Sequence, residues 1–245
     1  MENYIFGIRP ILESLEAGNI PEKILIQKGL TGQSFQQLFQ QVRKLEIPYQ
    51  MVPVEKLNSI TRKNHQGVIA QVAMIAYHKL EQVIPGIYEK GETPLLVLLD
   101  RITDVRNLGA IARSAECAGA HALVIPEKGS ATVTADAIKT SAGALSRLPV
   151  CRERELLESI SFLQHSGIKV VACTEKAANP VFKANLTGPL ALIMGSEDKG
   201  ISTACLRMAD DQVSIPQAGK TASLNVSVAA GVVLFEILRQ KNFNQ

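Results

Sequence analysis

Three short stretches of this 245-residue chain combine the residue types that binding and catalysis need. The first runs Asp100-Arg101-Ile102-Thr103-Asp104-Val105-Arg106-Asn107-Leu108-Gly109-Ala110 and continues to Arg113. Asn107 suits a helix cap. Arg113, set among Ile111, Ala112, Ser114 and Ala115, has either a cleft or a carboxylate to reach. The second is Gly195-Ser196-Glu197-Asp198-Lys199-Gly200-Ile201, whose two glycines let backbone amides come close to a ligand. The third, Pro216-Gln217-Ala218-Gly219-Lys220-Thr221-Ala222-Ser223-Leu224-Asn225-Val226-Ser227, leads into a long helical pattern. Thr221 or Ser223 can cap that helix, and the free N–H groups at its positive end can equally receive an anion. No G-x-G-x-x-G dinucleotide fingerprint occurs in this half of the chain. Cys117, Cys151, Cys173 and Cys205, like His65, His78, His121 and His165, stand apart from one another. None has the spacing of a metal or redox motif, so no metal site is predicted and the cysteines read as small core residues.

Those stretches need a frame, and the apolar pattern supplies one. Short apolar runs predict strands over 95–99, 122–125, 170–173, 190–194 and 212–215. Helices are predicted between and after them, over 108–118, 135–144, 153–166 and 224–239; in the last, Val226, Ala229, Ala230, Val233, Leu234 and Ile237 repeat at helical spacing. Strands alternating with helices predict an α/β fold with a parallel sheet, in which ligands bind beyond the carboxyl ends of the strands. Each of the three polar stretches lies at such an end. Upstream, a helix over 9–17, a strand over 24–27, a helix over 33–45 and strands over 49–52 and 68–73 predict a smaller α/β module. The pattern then decays through Pro85, Gly86, Gly91 and Pro94. The expected organisation is therefore a first domain over 1–76, a linker over 77–93 and a second domain over 94–245.

Composition narrows the class without naming it. Hydrophobic residues make up 46% and charged residues 20%, the balance of a chain that folds. The net charge of +3 is spread evenly, with 10 basic and 8 acidic residues up to residue 90 and 16 and 15 after it, so neither half is a basic block. Aromatics are few and Trp is absent, which argues against an aromatic platform for single-stranded nucleic acid. The apolar runs fall far short of the roughly 20 residues that span a bilayer, and the first residues lack the apolar core of a secretory signal. A cytoplasmic protein without membrane partners is expected.

Taken jointly, the stretches N-L-G-A-I-x-R-S-A, G-S-E-x-x-G and I-P-x-x-G-x-x-x-S-L-N-V-S-V-A, in this order, resemble the SpoU, or TrmH, family of RNA ribose 2′-O-methyltransferases. The upstream F-G-I-R-P-I-L-E-S-L and H-Q-G-V-I-A segments resemble the N-terminal substrate-binding domain of its RlmB-like branch, so the likeness covers nearly the whole chain. The resemblance implies a C-terminal SPOUT domain with a deep trefoil knot, a small N-terminal RNA-binding domain, a homodimer and S-adenosylmethionine as cofactor. It implies Gly195, Ile215 and Leu224 as cofactor contacts, with Met194, Ser196, Gly200 and Pro216 beside them. It assigns catalysis to Arg113, Asn107, Glu197, Ser223 and Asn225: Arg113 grips a phosphate or handles the hydroxyl proton, Asn107 holds Arg113 or the ribose, and Glu197 orients Asn107 or Arg113. Because a guanidinium stays protonated, an electrostatic role for Arg113 is chemically easier than that of a base. Arg9, Arg62, Lys63 and Arg106 are candidate RNA contacts. The implied substrate is a guanosine of large-subunit ribosomal RNA. The alternatives are a transfer RNA methyltransferase or a non-catalytic ribosome-assembly factor of the same fold.

Overall fold

The computed structural model describes residues 4–221 and 223–243. The chain forms two units, Met1–Met74 and Ile75–Gln245.

The first unit contains β1 (Tyr4–Phe6), α1 (Ile8–Glu16), β2 (Lys23–Gln27), α2 (Gln33–Lys44), β3 (Tyr49–Val52), α3 (Val54–Ile60) and β4 (Val68–Gln71). Its four-stranded sheet has the order β1-β4-β2-β3, with β2 and β3 parallel and the other pairs antiparallel. Ile24 and Ile26 of β2 point to one face, where Ile11 of α1 and Leu38 and Val42 of α2 seal the core. The sequence pattern predicts neither β1 nor α3, both of which are short and lack a full helical or alternating period.

The second unit contains β5 (Tyr77–His78), α4 (Leu80–Glu89), β6 (Leu95–Asp100), α5 (Val105–Cys117), β7 (Ala122–Pro126), α6 (Ala135–Thr140), β8 (Val150–Glu153), α7 (Leu156–His165), β9 (Lys169–Cys173), β10 (Leu190–Gly195), α8 (Thr203–Met208), β11 (Asp211–Val213) and α9 (Val226–Phe243). Seven strands, all paired in parallel, take the order β11-β9-β10-β6-β7-β8-β5. Alternate residues of β6 serve two cores: Leu95, Val97 and Leu99 pack with α5 and α9, and Leu96 and Leu98 with α4 and α7. Burial on both faces explains why these strands read as continuous apolar runs rather than alternating ones.

The stretch 77–93, expected as a linker, is instead an edge strand and a helix of the second unit, and the unit boundary falls after Met74. Pro85 and Gly86 suggest a break, yet Leu80, Ile84 and Ile87 bury one face of α4 against the sheet, and that tertiary gain overrides the local preference. The helix expected over 153–166 is likewise divided: residues 150–153 pair with β7 as β8, and α7 starts at Leu156.

Candidate active site

The carboxyl ends of β9 and β10, the chain after β11 and the start of α9 enclose a cavity of about 320 Å³. That is within the size range of small-molecule sites, roughly 300–1,000 Å³. Met194, Ile201, Ile215, Leu224, Val226 and Ala229 give it apolar walls, while the backbone of 195–200, Thr174, Glu175, Gln217 and Ser223 give it polar ones.

The loop after β10 is bent back on itself. Gly200 N donates to Ser196 O at 2.8 Å, and a Cβ on Gly195 would fall 2.2 Å from Gly200 C and Ile201 N, so only glycine fits there. Asp100, 5% exposed at the end of β6, accepts from Ser202 N at 2.5 Å. Arg101, in the left-handed region with φ 62, donates through Nη2 to Gly200 O at 3.1 Å and holds Nε 3.3 Å from Asp100 Oδ1. The two residues thus pin the loop from the neighbouring strand.

At the rim of the cavity one amide ties the three polar stretches together. Asn225 caps α9: its Oδ1 accepts from Ser227 N at 2.9 Å, Ser227 Oγ at 2.6 Å and Val228 N at 3.4 Å. With the oxygen turned to the helix, the amide nitrogen must face outward. Nδ2 donates to Asn107 Oδ1 at 3.0 Å and to a carboxylate oxygen of Glu197. The helix donors thereby settle which way this amide points.

Asn107 is free for that contact because it does not cap α5. The helix begins earlier than expected, and Asp104 takes the cap, accepting from Arg106 N at 2.6 Å and Asn107 N at 3.3 Å. Glu197, expected to orient Asn107 or Arg113, bonds Asn225 instead, and so does Asn107. Because Asn107 Oδ1 accepts, its Nδ2 hydrogens remain to be donated.

Arg113 lies apart from this cluster. It is exposed, does not line the cavity, and no hydrogen bond or ion pair to it appears among the described residues. Six residues along α5 carry it about 9 Å beyond Asn107 and roughly 120° round the helix axis, so Asn107 does not hold it.

Of the expected cofactor contacts, Met194, Gly195, Ser196, Gly200, Ile215 and Leu224 line the cavity, as do Glu197 and Ser223. Pro216 does not: it is exposed, and Gln217 takes the wall position. Arg106 is exposed in the first turn of α5. In the first unit Arg9 sits 3.6 Å from Glu13, Lys63 Nζ lies 5.6 Å from the centre of the Phe6 ring, and Arg62 is exposed.

The sequence places Asp100 and Arg101 in the first polar stretch without giving them a role, and it does not single out Thr174, Glu175 and Lys176, which border the cavity at the end of β9. The strand-end rule applied to the run at 170–173 is the signal that finds the latter three. Cys173 at the same strand end has its thiol pushed up to about 11, by burial first and by the Glu175 carboxylate second. Among the described residues no cluster of three or more His, Cys, Asp or Glu is placed to hold a metal ion, and no helix is long and apolar enough to cross a membrane.

Comparison with known proteins agrees with this geometry. The profile described as the SpoU rRNA Methylase family matches residues 94–235, and that for RNA 2'-O ribose methyltransferase substrate binding matches residues 4–78. The 23S rRNA (guanosine-2'-O-)-methyltransferase RlmB of Yersinia pestis is 35% identical over 245 residues, covering 98% of both chains. That of Vibrio vulnificus is 37% identical over 251 residues, covering 99% of this chain and 98% of the relative. Among solved structures, the SpoU methyltransferase AviRb of Streptomyces viridochromogenes in complex with AdoMet superposes with a TM-score of 0.62 at 29% identity, covering 97% of this chain and 89% of that one. An AdoMet-bound rRNA methyltransferase of Sinorhizobium meliloti gives a TM-score of 0.60 at 25% identity, covering 96% and 86%. With both halves of the chain matched and three motif segments converging through Asn225, this protein belongs to the SpoU rRNA methylase family.

Proposed function

We propose that the chain transfers a methyl group from S-adenosylmethionine to the ribose 2′-hydroxyl of a guanosine in large-subunit ribosomal RNA. The observation that carries this reading is the Asn107–Asn225–Glu197 cluster at the rim of a cavity fit for a small cofactor. Its relatives named as 23S rRNA guanosine methyltransferases match nearly end to end, which favours ribosomal over transfer RNA.

The cavity suits the cofactor chemically. Apolar Ile215, Leu224 and Ala229 offer a surface for a flat base, and the Gly195 cradle lets backbone groups approach where a side chain would block them. When bound, S-adenosylmethionine supplies the electrophilic methyl group. The chain supplies orientation and charge control. Asn107 Nδ2 and the Ser223 hydroxyl are the donors available to hold the acceptor ribose, and Glu197 fixes the amide between them. Arg113 grips a substrate phosphate, which takes up the proton leaving the attacking 2′-hydroxyl, and offsets the negative charge growing on that oxygen. The first unit binds the RNA, with Arg62 and Lys63 among its exposed cations and Arg9 partly offset by Glu13; Arg106 adds a contact from α5. The trefoil knot implied by kinship belongs to this reading, formed where 194–200 and 215–226 enclose the cofactor.

A homodimer completes it. Val228 and Phe235 of α9 are about half exposed, at 52% and 51%, and with Gly231 form one stripe at helical spacing. Gly231 faces Ser114 of α5, the chain neighbour of Arg113, so the stripe meets α5 at the turn that carries Arg113. Pairing two copies through this stripe covers it and turns Arg113 toward the second copy.

The test is radiolabelled methyl transfer to 23S ribosomal RNA from cells lacking this gene, followed by mapping of the modified residue. A single 2′-O-methylguanosine is expected; incorporation into transfer RNA alone, or none into any RNA, overturns the proposal.

A further inference from the structure

The cavity wall at the end of β9 carries an acid with no structural duty. Glu175 is exposed, lines the cavity and has no cation within ion-pair distance among the described residues. Among the described residues its one hydrogen bond is from Thr174, whose buried hydroxyl donates to Glu175 Oε2 at 3.4 Å, leaving Oε1 without a donor. The carboxylate stands close enough to the wall to raise the thiol of Cys173, which lines the same cavity.

Its place in the sheet says which part of a ligand it faces. The strand order runs β9-β10-β6, and neighbouring strands lie about 4.8 Å apart, so the end of β9 is roughly 10 Å from the end of β6. The β6 end leads to α5 and Asn107, the side where the methyl acceptor arrives in the proposed reaction. A donor molecule lying across the strand ends puts its reactive sulfur toward that side and its nucleoside toward β9. A nucleoside ribose presents two hydroxyls on adjacent carbons, each a donor. A carboxylate, with two acceptor oxygens and no hydrogen to give, is the side chain that matches such a pair. An acid near a strand end reads ribose hydroxyls in the same way in dinucleotide-binding α/β folds.

We infer that Glu175, held by Thr174, is a specificity-determining residue that recognises the ribose 2′- and 3′-hydroxyls of the cofactor's nucleoside. This rests on the cofactor reading above, and the test separates the two. Calorimetry of the full chain would compare S-adenosylhomocysteine with its 2′,3′-dideoxyribose analogue on the wild type, Glu175→Gln and Glu175→Ala. The wild type is expected to prefer the hydroxylated ligand by about 10- to 100-fold, the worth of hydrogen bonds to a charged group. Both variants should lose that preference while binding the dideoxy analogue as the wild type does. Lys183→Met, an exposed change further along the same connection and outside the cavity lining, should leave the preference intact. Retention of the preference in Glu175→Gln, or equal weakening of both ligands, overturns the inference and leaves the cofactor reading standing. Failure of the wild type to bind S-adenosylhomocysteine overturns both.

Discussion

The two ends of α9 use polar side chains in opposite ways. At its start, Asn225 is exposed and joins Asn107 and Glu197, and the group leaves donors unspent beside a cavity. Near its end, Glu236 and Gln240 are each only 7% exposed and consume one another's capacity. Gln240 Nε2 donates to Ala184 O at 3.1 Å and to Glu236 Oε1 at 2.8 Å, while its Oε1 accepts from Leu186 N at 2.9 Å. Arg239 adds bonds to Glu236 at 2.8 Å from both Nε and Nη2, and its guanidinium holds the Glu236 carboxyl below the usual range. One helix thus carries a closed polar network that fastens the chain before β10 and an open one that can receive a substrate. Buried polar groups must be satisfied internally, whereas groups at a rim keep capacity for a ligand.

This contrast can be broken in four places. The largest effect belongs to Arg113→Ala, which should lower turnover by about 10²- to 10³-fold, the range for losing one preorganised charge-stabilising group. Calorimetry should find S-adenosylhomocysteine affinity unchanged, because Arg113 does not line the cavity. Equal loss of cofactor binding would place the guanidinium elsewhere.

Next comes Asn225→Asp. The carboxylate still accepts from Ser227 and Val228, so the cap survives, but it offers no donor to Asn107 and stands against Glu197. Single-turnover methyl transfer should slow by about 10- to 100-fold with little change in melting temperature. Asn225→Ala should slow it similarly and also cost about 1 kcal/mol of stability through loss of the cap. A variant pair that differs in neither respect would sink the assignment of two roles to this amide.

At the closed end, Gln240→Ala leaves Leu186 N and Ala184 O without their partner and should cost about 1–3 kcal/mol in urea unfolding. Its kcat and KM should match the wild type, since this network lies outside the cavity lining.

The smallest effect is a pH slope at the same end. His121 accepts from Leu95 N at 3.0 Å and has its pKa lowered, chiefly by burial, with Lys241 adding to the decrease while Glu92 opposes it. A base with a depressed folded pKa binds fewer protons folded than unfolded. Its contribution is therefore complete above the ordinary value of 6.5 and is lost as pH falls through the folded pKa. Melting temperature should fall between about pH 7.5 and about pH 5.5, and less steeply in His121→Gln. An identical slope in the variant would remove His121 from the account.

Much of the second unit's frame is readable from local pattern. The buried runs at β6, β7, β9 and β10 are short, apolar and bounded by turns, and α9 has a clear stripe. The elements that escape are those whose stability is not local. β8 is Val-Cys-Arg-Glu, two buried residues followed by two polar ones, and exists because β7 pairs with it. β5 has two residues, and α4 carries a proline. At the site, the strand-end rule brings the three polar stretches to one edge of the sheet, but it does not say which side chain meets which. Asn107 reads as a helix cap until Asp104 is seen in that role, and Glu197 has several possible partners until Asn225 is seen between the stretches.

Residue types, their order and their local periodicity were enough to determine that this chain is a parallel α/β protein with a small upstream module and the three SpoU motifs. Only the tertiary structure decided that Asn225 bonds residues 118 and 28 positions away, that Arg113 stands clear of the cavity, and that Glu175 lines it. Local pattern encodes which residues are buried and how the backbone turns. Contacts across such separations depend on the register of parallel strands and on where each helix starts, and those are set by packing over the whole sheet.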